Sequence, residues 1–288
     1  MSDKVEVRSA TLADANGITE IHAECDDPWA NLAECAIWVN HQLLRGFFID
    51  VAVIGNQIVG HAEWLLSDEP SPYGKHLYLS MIQVHSDYQR RGVGRAMIEA
   101  GIHRAKVLSC PVIRTVPDDD AKDFYKKCGF LPSRRNVTCS TKVCPTALPS
   151  GWKRSQVVPQ KVVNSLPMRF GWVQGSSAHM WEICNRPVYI FGQKPEQHPC
   201  ARRSDGMGYV QLRYVGMEDQ PMALAWAPLT DDSEELVLTA IALANSLPVE
   251  VEFVTFTLED RYESDLVSCR DVQWQWTLGN EIWSKAVD

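Results

Sequence analysis

The chain has 288 residues, 45% hydrophobic and 22% charged, with a net charge of −8. These values suit a soluble protein of up to two domains and argue against generic nucleic-acid binding, which needs a basic face. Nine cysteines at irregular spacing without a CxxC pair, no apolar leader and no membrane-length apolar run predict a reduced, cytoplasmic protein with no disulfide framework, metal or membrane partner.

Val5 to Arg8 alternates like a first strand. Thr11 is the expected N-cap of a helix with Asp14 at the capping-box position, and Ile18, Ile21 and His22 fall on one face of it. A second helix is expected from about Asn31 to Leu44, with Leu32, Ala36, Val39 and Leu43 at helical spacing. Phe47 to Ile54 and Gln57 to Leu66 read as a hairpin closed by Gly55-Asn56. After a loop at 68–74, the apolar run Leu77 to Val84 is a strand. It leads into Gln89-Arg90-Arg91-Gly92-Val93-Gly94-Arg95, from which a helix runs to about Leu108. A short strand at 111–116, a helix opened by Asp118 and closed at Gly129, and a strand at 137–143 complete the first half. The order β-α-α-β-β-β-α-β-α-β is an α/β (mixed α+β) arrangement: one mixed sheet flanked by helices.

The strand, basic glycine loop and helix start form an anion site. The first turn of a helix has unpaired N–H donors and the positive end of the macrodipole. Glycines let the backbone approach the anion, and arginines add charge. Arg90, Arg91 and Arg95 also fit a solvated basic patch, but beside two glycines at a helix start they favour phosphate. The loop is no Rossmann fingerprint, since Met97 stands at the third glycine, and the chain has no Gly-Lys-Ser or Gly-Lys-Thr of a P-loop.

Cys144 to Gly151 reads as a linker between domains 1–145 and 146–288. The second half has expected strands at 187–191, 208–215, 222–226, 250–258 and 272–278, with helices at 233–246 and 262–269.

Gln89 to Gly94 resembles the acyl-CoA loop of the GNAT acetyltransferase superfamily, (Arg/Gln)-x-x-Gly-x-(Gly/Ala). The approach segment Val84 to Tyr88 is similar too, with Ser86 where a proline is frequent. Asp118 to Phe130 resembles the family's Asn-x-x-Ala-x-x-x-Tyr-x-x-x-Gly-Phe, with Asp118 in the asparagine place. The resemblance covers about residues 4–145 and implies transfer of an acetyl group from acetyl-CoA to an amine. It implies that the strand before the loop parts from its neighbour, so that the backbone of Met81, Ile82, Gln83 and Val84 pairs with the pantetheine arm. Gln89, Arg90, Arg91, Gly92, Val93, Gly94 and Arg95 would hold the pyrophosphate, and Asp118 takes the place of a cofactor contact. Tyr125 matches the tyrosine that faces the CoA sulfur, a general acid for the leaving thiolate; the other reading is a helix tyrosine packed on the sheet.

The candidate base is Glu63, which fits a solvent-facing strand glutamate equally well. His85 reads as structural, His61 as a core histidine kept in reserve as a base, and Cys128 as packing. Asp26, Asp27, Trp29 and Glu34, with Glu24 and Trp38, are candidates to hold a cationic acceptor through charge and cation–π contact; helix-face charges and core indoles explain them as well. The second half repeats the element order of 77–143, but its loop, Ala227 to Glu235, has four carboxylates and no glycine. A second GNAT-like domain is therefore expected that binds no CoA and helps shape the acceptor pocket. The expectation is an N-acetyltransferase acting by direct attack on a small-molecule or peptide amine, as a monomer or homodimer. A CoA-binding module without turnover, and a protein acetyltransferase, are the alternatives.

Overall fold

The computed structural model describes residues 4–23, 30–171, 177–185, 198–213, 220–247, 250–267, 269 and 273–287. They form two compact units: unit 1 is Met1–Leu66, His76–Leu131 and Trp283–Asp288, and unit 2 is Ser67–Lys75 and Pro132–Ile282. Among the described residues no helix is long and apolar enough to cross a membrane.

In unit 1 the order is β1 (Glu6–Ser9), α1 (Ala15–His22), α2 (Leu32–Arg45), β2 (Phe48–Ile54), β3 (Gln57–Asp68), β4 (Lys75–Val84), α3 (Val93–Val107), β5 (Val112–Thr115) and α4 (Lys122–Lys127). The strands lie in the order β1-β2-β3-β4-β5. The first pairs are antiparallel, with Ile54 opposite Gln57 at the expected hairpin, and β4 is parallel to β5. Asp14 fixes the entry to α1: it accepts from both Arg8 guanidinium nitrogens at 2.8 and 2.7 Å and from Thr11 N at 2.7 Å.

Side chains alternate across the sheet. Ile49 and Val51 pack with Ile18, Cys35 and Val39 of α1 and α2. On the other face Trp64, Met97, Ile98, Ile113, Tyr125 and Phe130 form a second core with α3 and α4. Ile18, Ile21 and His22 are buried as expected. In α2 the buried stripe is Cys35, Val39 and Gln42, while Leu32 and Leu43 are exposed. The helix is rotated from the expected face because the Gln42 amide bonds to Glu63, and a buried amide needs such a partner.

Unit 2 contains β6 (Leu131–Lys142), β7 (Trp152–Ser155), α5 (Lys161–Ser165), β8 (Met168–Phe170), α6 (Ser177–Asn185), β9 (Cys200–Arg203), β10 (Tyr209–Arg213), β11 (Met222–Trp226), α7 (Ser233–Ala244), β12 (Phe253–Glu259), α8 (Glu263–Val267) and most of β13 (Trp274–Ala286). The strand order is β6-β12-β11-β10-β9-β7, with β8 on β11. β11 and β12 are parallel, so β11-α7-β12-α8-β13 repeats β4-α3-β5-α4-β6. The last strands depart from a cut at 145: β6 pairs with β12, and the end of β13 pairs with β5, Trp283 opposite Thr115. The strand expected at 187–191 lies outside the described residues. β7, α5, β8, α6 and β9 had no periodic signal, most being too short to show one.

Candidate active site

The site is built at a fork in the unit 1 sheet. β4 pairs with β5 only at Leu77↔Ile113, Tyr78↔Arg114 and Leu79↔Thr115. β5 ends there, while β4 continues to Val84. Thr115 Oγ1 donates to Leu79 O at 3.1 Å at the base of the fork. Met81, Ile82, Gln83 and Val84 line one limb, half-buried, and among the described residues no strand covers them on the β5 side.

The limb ends at the glycine loop. Arg90 and Gly92 are left-handed, at φ 60° and 88°; glycine meets that need at Gly92 without strain. Gly92 caps α3 without a side-chain hydrogen bond, which among the described residues leaves the N–H donors of the first turn available. A Cβ on Gly94 would lie 3.1 Å from the Phe124 ring, so this glycine sets the approach of α3 to α4. Arg90, Arg91 and Arg95 are exposed, and Arg91 stacks on Tyr88 at 5.2 Å. This donor set fits a diphosphate ester. Gln89 Nε2 donates to Val84 O at 3.2 Å and ties the loop back to the strand. His85 Nδ1 accepts from Asp87 N at 3.2 Å, which makes it part of the turn.

Tyr125 stands at the closed end of the fork. Its ring packs edge-on against Phe130 and Phe124, and its hydroxyl bonds with Thr115. Burial pushes that hydroxyl up to about 12, so it is a protonated donor at neutral pH. Asp118 is exposed at the turn before α4, and its backbone carbonyl accepts from Ala121 N at 3.0 Å. Phe130 N donates to Tyr125 O at 3.0 Å and Gly129 is left-handed at φ 84°, the helix end expected from the sequence.

Glu63 is buried on β3, facing α2, and is not the solvent-facing glutamate of the alternative reading. Its carboxylate accepts from Trp38 Nε1 at 3.1 Å, from the Gln42 amide and from the Ser80 hydroxyl. Burial raises its pKa and the three donors oppose the rise. Ser80 follows the last paired residue of β4, so the carboxylate sits beside the point where the strands part. Tyr78, buried, is within electrostatic reach of both Glu63 and Tyr125, and burial raises its hydroxyl strongly.

The remaining candidates fall elsewhere. His61 Nδ1 lies 3.1 Å from His22 Nε2 in the core, and burial lowers His61 to about 3, so it is neutral. Cys128 ends α4 half-buried, with its thiol raised by burial, which disfavours the thiolate. Glu34 is half-buried in the first turn of α2, where Asn31 Oδ1 accepts from its N–H at 3.2 Å. Asp26, Asp27 and Trp29, like Glu24, lie outside the described residues. Gln42, Ser80, Thr115 and Tyr78 were not singled out from the sequence. Only Ser80 left a trace there, as a small polar residue interrupting Leu77 to Ile82.

Residues 15–130 match the model of the acetyltransferase (GNAT) family. No curated protein sequence matches the chain. Among solved structures, a GCN5-related N-acetyltransferase from Anabaena variabilis is similar at a TM-score of 0.70 and 12% identity, over 99% of this chain and 73% of the other. One from Kribbella flavida is similar at a TM-score of 0.64 and 12% identity, over 100% and 72%. A tandem GNAT protein from the clavulanic acid biosynthesis pathway aligns over 99% of both chains, at a TM-score of 0.54 and 14% identity. At these identities the likeness is one of fold, and it extends over both halves. The family model, read together with the fork and its glycine loop, makes residues 15–130 an acetyltransferase (GNAT) family domain.

Proposed function

We propose that unit 1 is an acetyl-CoA-dependent N-acetyltransferase acting on a primary amine by direct attack. The observation that carries this reading is the fork between β4 and β5, open along Met81 to Val84, with the glycine-capped start of α3 at one end and the protonated Tyr125 at the other. The N–H groups from Gly92 to Arg95, with Arg90, Arg91 and Arg95, would hold the diphosphate. The backbone of Met81 to Val84 would pair with the pantetheine arm. Acetyl-CoA, when bound, supplies an activated acetyl thioester.

The chain's residues then divide the proton work. An ammonium must lose a proton before it can attack, and Glu63 accepts it directly or through water. Its burial-raised pKa makes it a better base than an ordinary carboxylate. The N–H near Ile82 would polarise the thioester carbonyl. Tyr125 gives its proton to the departing thiolate, and the proton that the attacking nitrogen sheds on becoming an amide restores the tyrosine through solvent. Cys128 takes no part, and no acyl-enzyme is expected on its raised thiol. Glu34, with Asp26, Asp27 and Trp29, would hold the cationic acceptor.

Release of free thiol from acetyl-CoA, measured against a panel of amines, tests the reading. Tyr125→Phe is expected to lower kcat about 100-fold with little change in acetyl-CoA affinity. Binding without turnover by the wild type would instead favour a CoA-binding module, and Tyr125→Phe with wild-type kcat would remove the tyrosine from the mechanism.

A further inference from the structure

The chain has a second parallel strand pair that forks, and protein fills this one. In unit 2, β11 pairs with β12 at Met222↔Thr255 and Ala223↔Phe256. β10 covers the far side of β11 from Met222 to Trp226, and β6 covers the far side of β12. β8 therefore enters between them. Phe170 and Met168 pair with Ala225 and Trp226 on one limb. Gly171 N donates to Thr257 O at 2.8 Å on the other, and Ala227 N donates to Pro167 O at 3.2 Å. Gly171 is at φ 122°, and a Cβ there would lie 2.7 Å from Leu224 Cδ2, so a glycine is needed for the segment to lie this deep.

Arg169 completes the plug. Its guanidinium is buried and donates to Pro228 O at 2.8 Å, to Asp231 O at 3.1 Å and to Ser233 Oγ at 2.7 Å. Asp265 Oδ2 lies 3.8 Å away. Ser233 opens α7, and Asp232 already caps it by accepting from Glu234 N at 2.9 Å. At the corresponding helix start, unit 1 offers N–H groups and arginines to an anion. Unit 2 has turned its loop carbonyls toward a cation that its own chain supplies. The carboxylates between 231 and 235 therefore do more than repel a phosphate: Asp231 also pairs with Arg203 at 2.6 Å, and Glu235 accepts from Trp152 Nε1 at 2.8 Å.

We propose that residues 167–171 are a permanent internal ligand of the second fork, the backbone taking the place of an extended acyl arm and Arg169 the place of its charged end with the sign reversed. The protein then takes one acyl-CoA per chain, at Gly92 and nowhere else. The single-site consequence rests on the proposed function of unit 1; the plug itself does not.

Hydrogen exchange on the full chain, free and with CoA as the probe, tests both parts. In the free protein, peptides covering 168–171 and 225–227 are expected to exchange at least about 100-fold more slowly than an unstructured reference, and CoA is expected to leave them unchanged while slowing exchange at 92–96. Arg169→Ala should speed exchange at 168–171 and 225–227 about tenfold or more. Free exchange at 168–171 in the wild type, or a CoA-dependent change there, would overturn the plug, as would two equivalents of CoA bound per chain. If Arg169→Ala fails to fold, protection in the wild type decides alone. If no CoA binds, the reading of unit 1 fails, and protection in the free protein still decides this one.

Discussion

Glu63 and Tyr125 are both buried, and the proposed mechanism gives them opposite uses. Three donors converge on the Glu63 carboxylate, and burial still raises its pKa. As the proposed base, Glu63 would act in its ionised form, so acetylation should increase with pH through a limb lying above the ordinary carboxylate range. Glu63→Gln should remove that limb and slow turnover about 100-fold, measured as kcat/KM across pH; an unchanged limb would assign it to another group. The place of Tyr125 in a helix that ends at Gly129 could be read from the sequence because the block from Asp118 to Phe130 is contiguous. Glu63 was only half legible: its strand was clear, but its surroundings come from α2 and β4. Gln42 and Thr115 gave no sign in the sequence and Ser80 only a polar break in an apolar run, because each bonds to a partner at least seventeen residues away in the chain or across a strand pair.

Elements with a strong local signal were placed correctly. The Gly55-Asn56 hairpin, the helix after Gly92 and the helix end at Gly129 follow from turn and cap chemistry that sits within a few residues. The face of α2 did not, because apolar spacing admits neighbouring stripes and the contact between Gln42 and Glu63 selects one. The entry to α1 was legible through Thr11 and Asp14, while the part of Arg8 was not. Arg8 is the main reason that Asp14 is held down to about 2, below its unfolded value near 3.8. The stabilisation is therefore full above about pH 4 and is lost as pH falls through the folded-state value. Asp14→Asn should cost about 1 kcal/mol at pH 7, allowing for the exposure of Arg8. Urea denaturation curves of variant and wild type should converge towards pH 2; a gap that persists there would mean that packing, not charge, is what Asp14 contributes.

Over the whole chain, one sequence order is used twice and fitted for different ends. β4-α3-β5 leaves its fork open beside Gly92, whereas β11-α7-β12 closes its fork on β8 and Arg169. The repeat was legible from element order. The pairing of β6 with β12 and of β13 with β5 was not, since identical strand patterns do not say which partner each strand takes. The open fork is proposed to hold acetyl-CoA through the helix start at Gly92. The most direct test is calorimetric titration of acetyl-CoA into the wild type and Gly92→Ala. The alanine must adopt φ near 88°, at a cost of about 1–2 kcal/mol, or move the donors out of place. The wild type should bind one equivalent, and affinity should weaken about tenfold or more in a variant that still melts cooperatively. No binding by the wild type, or equal binding by a folded Gly92→Ala, would contradict it.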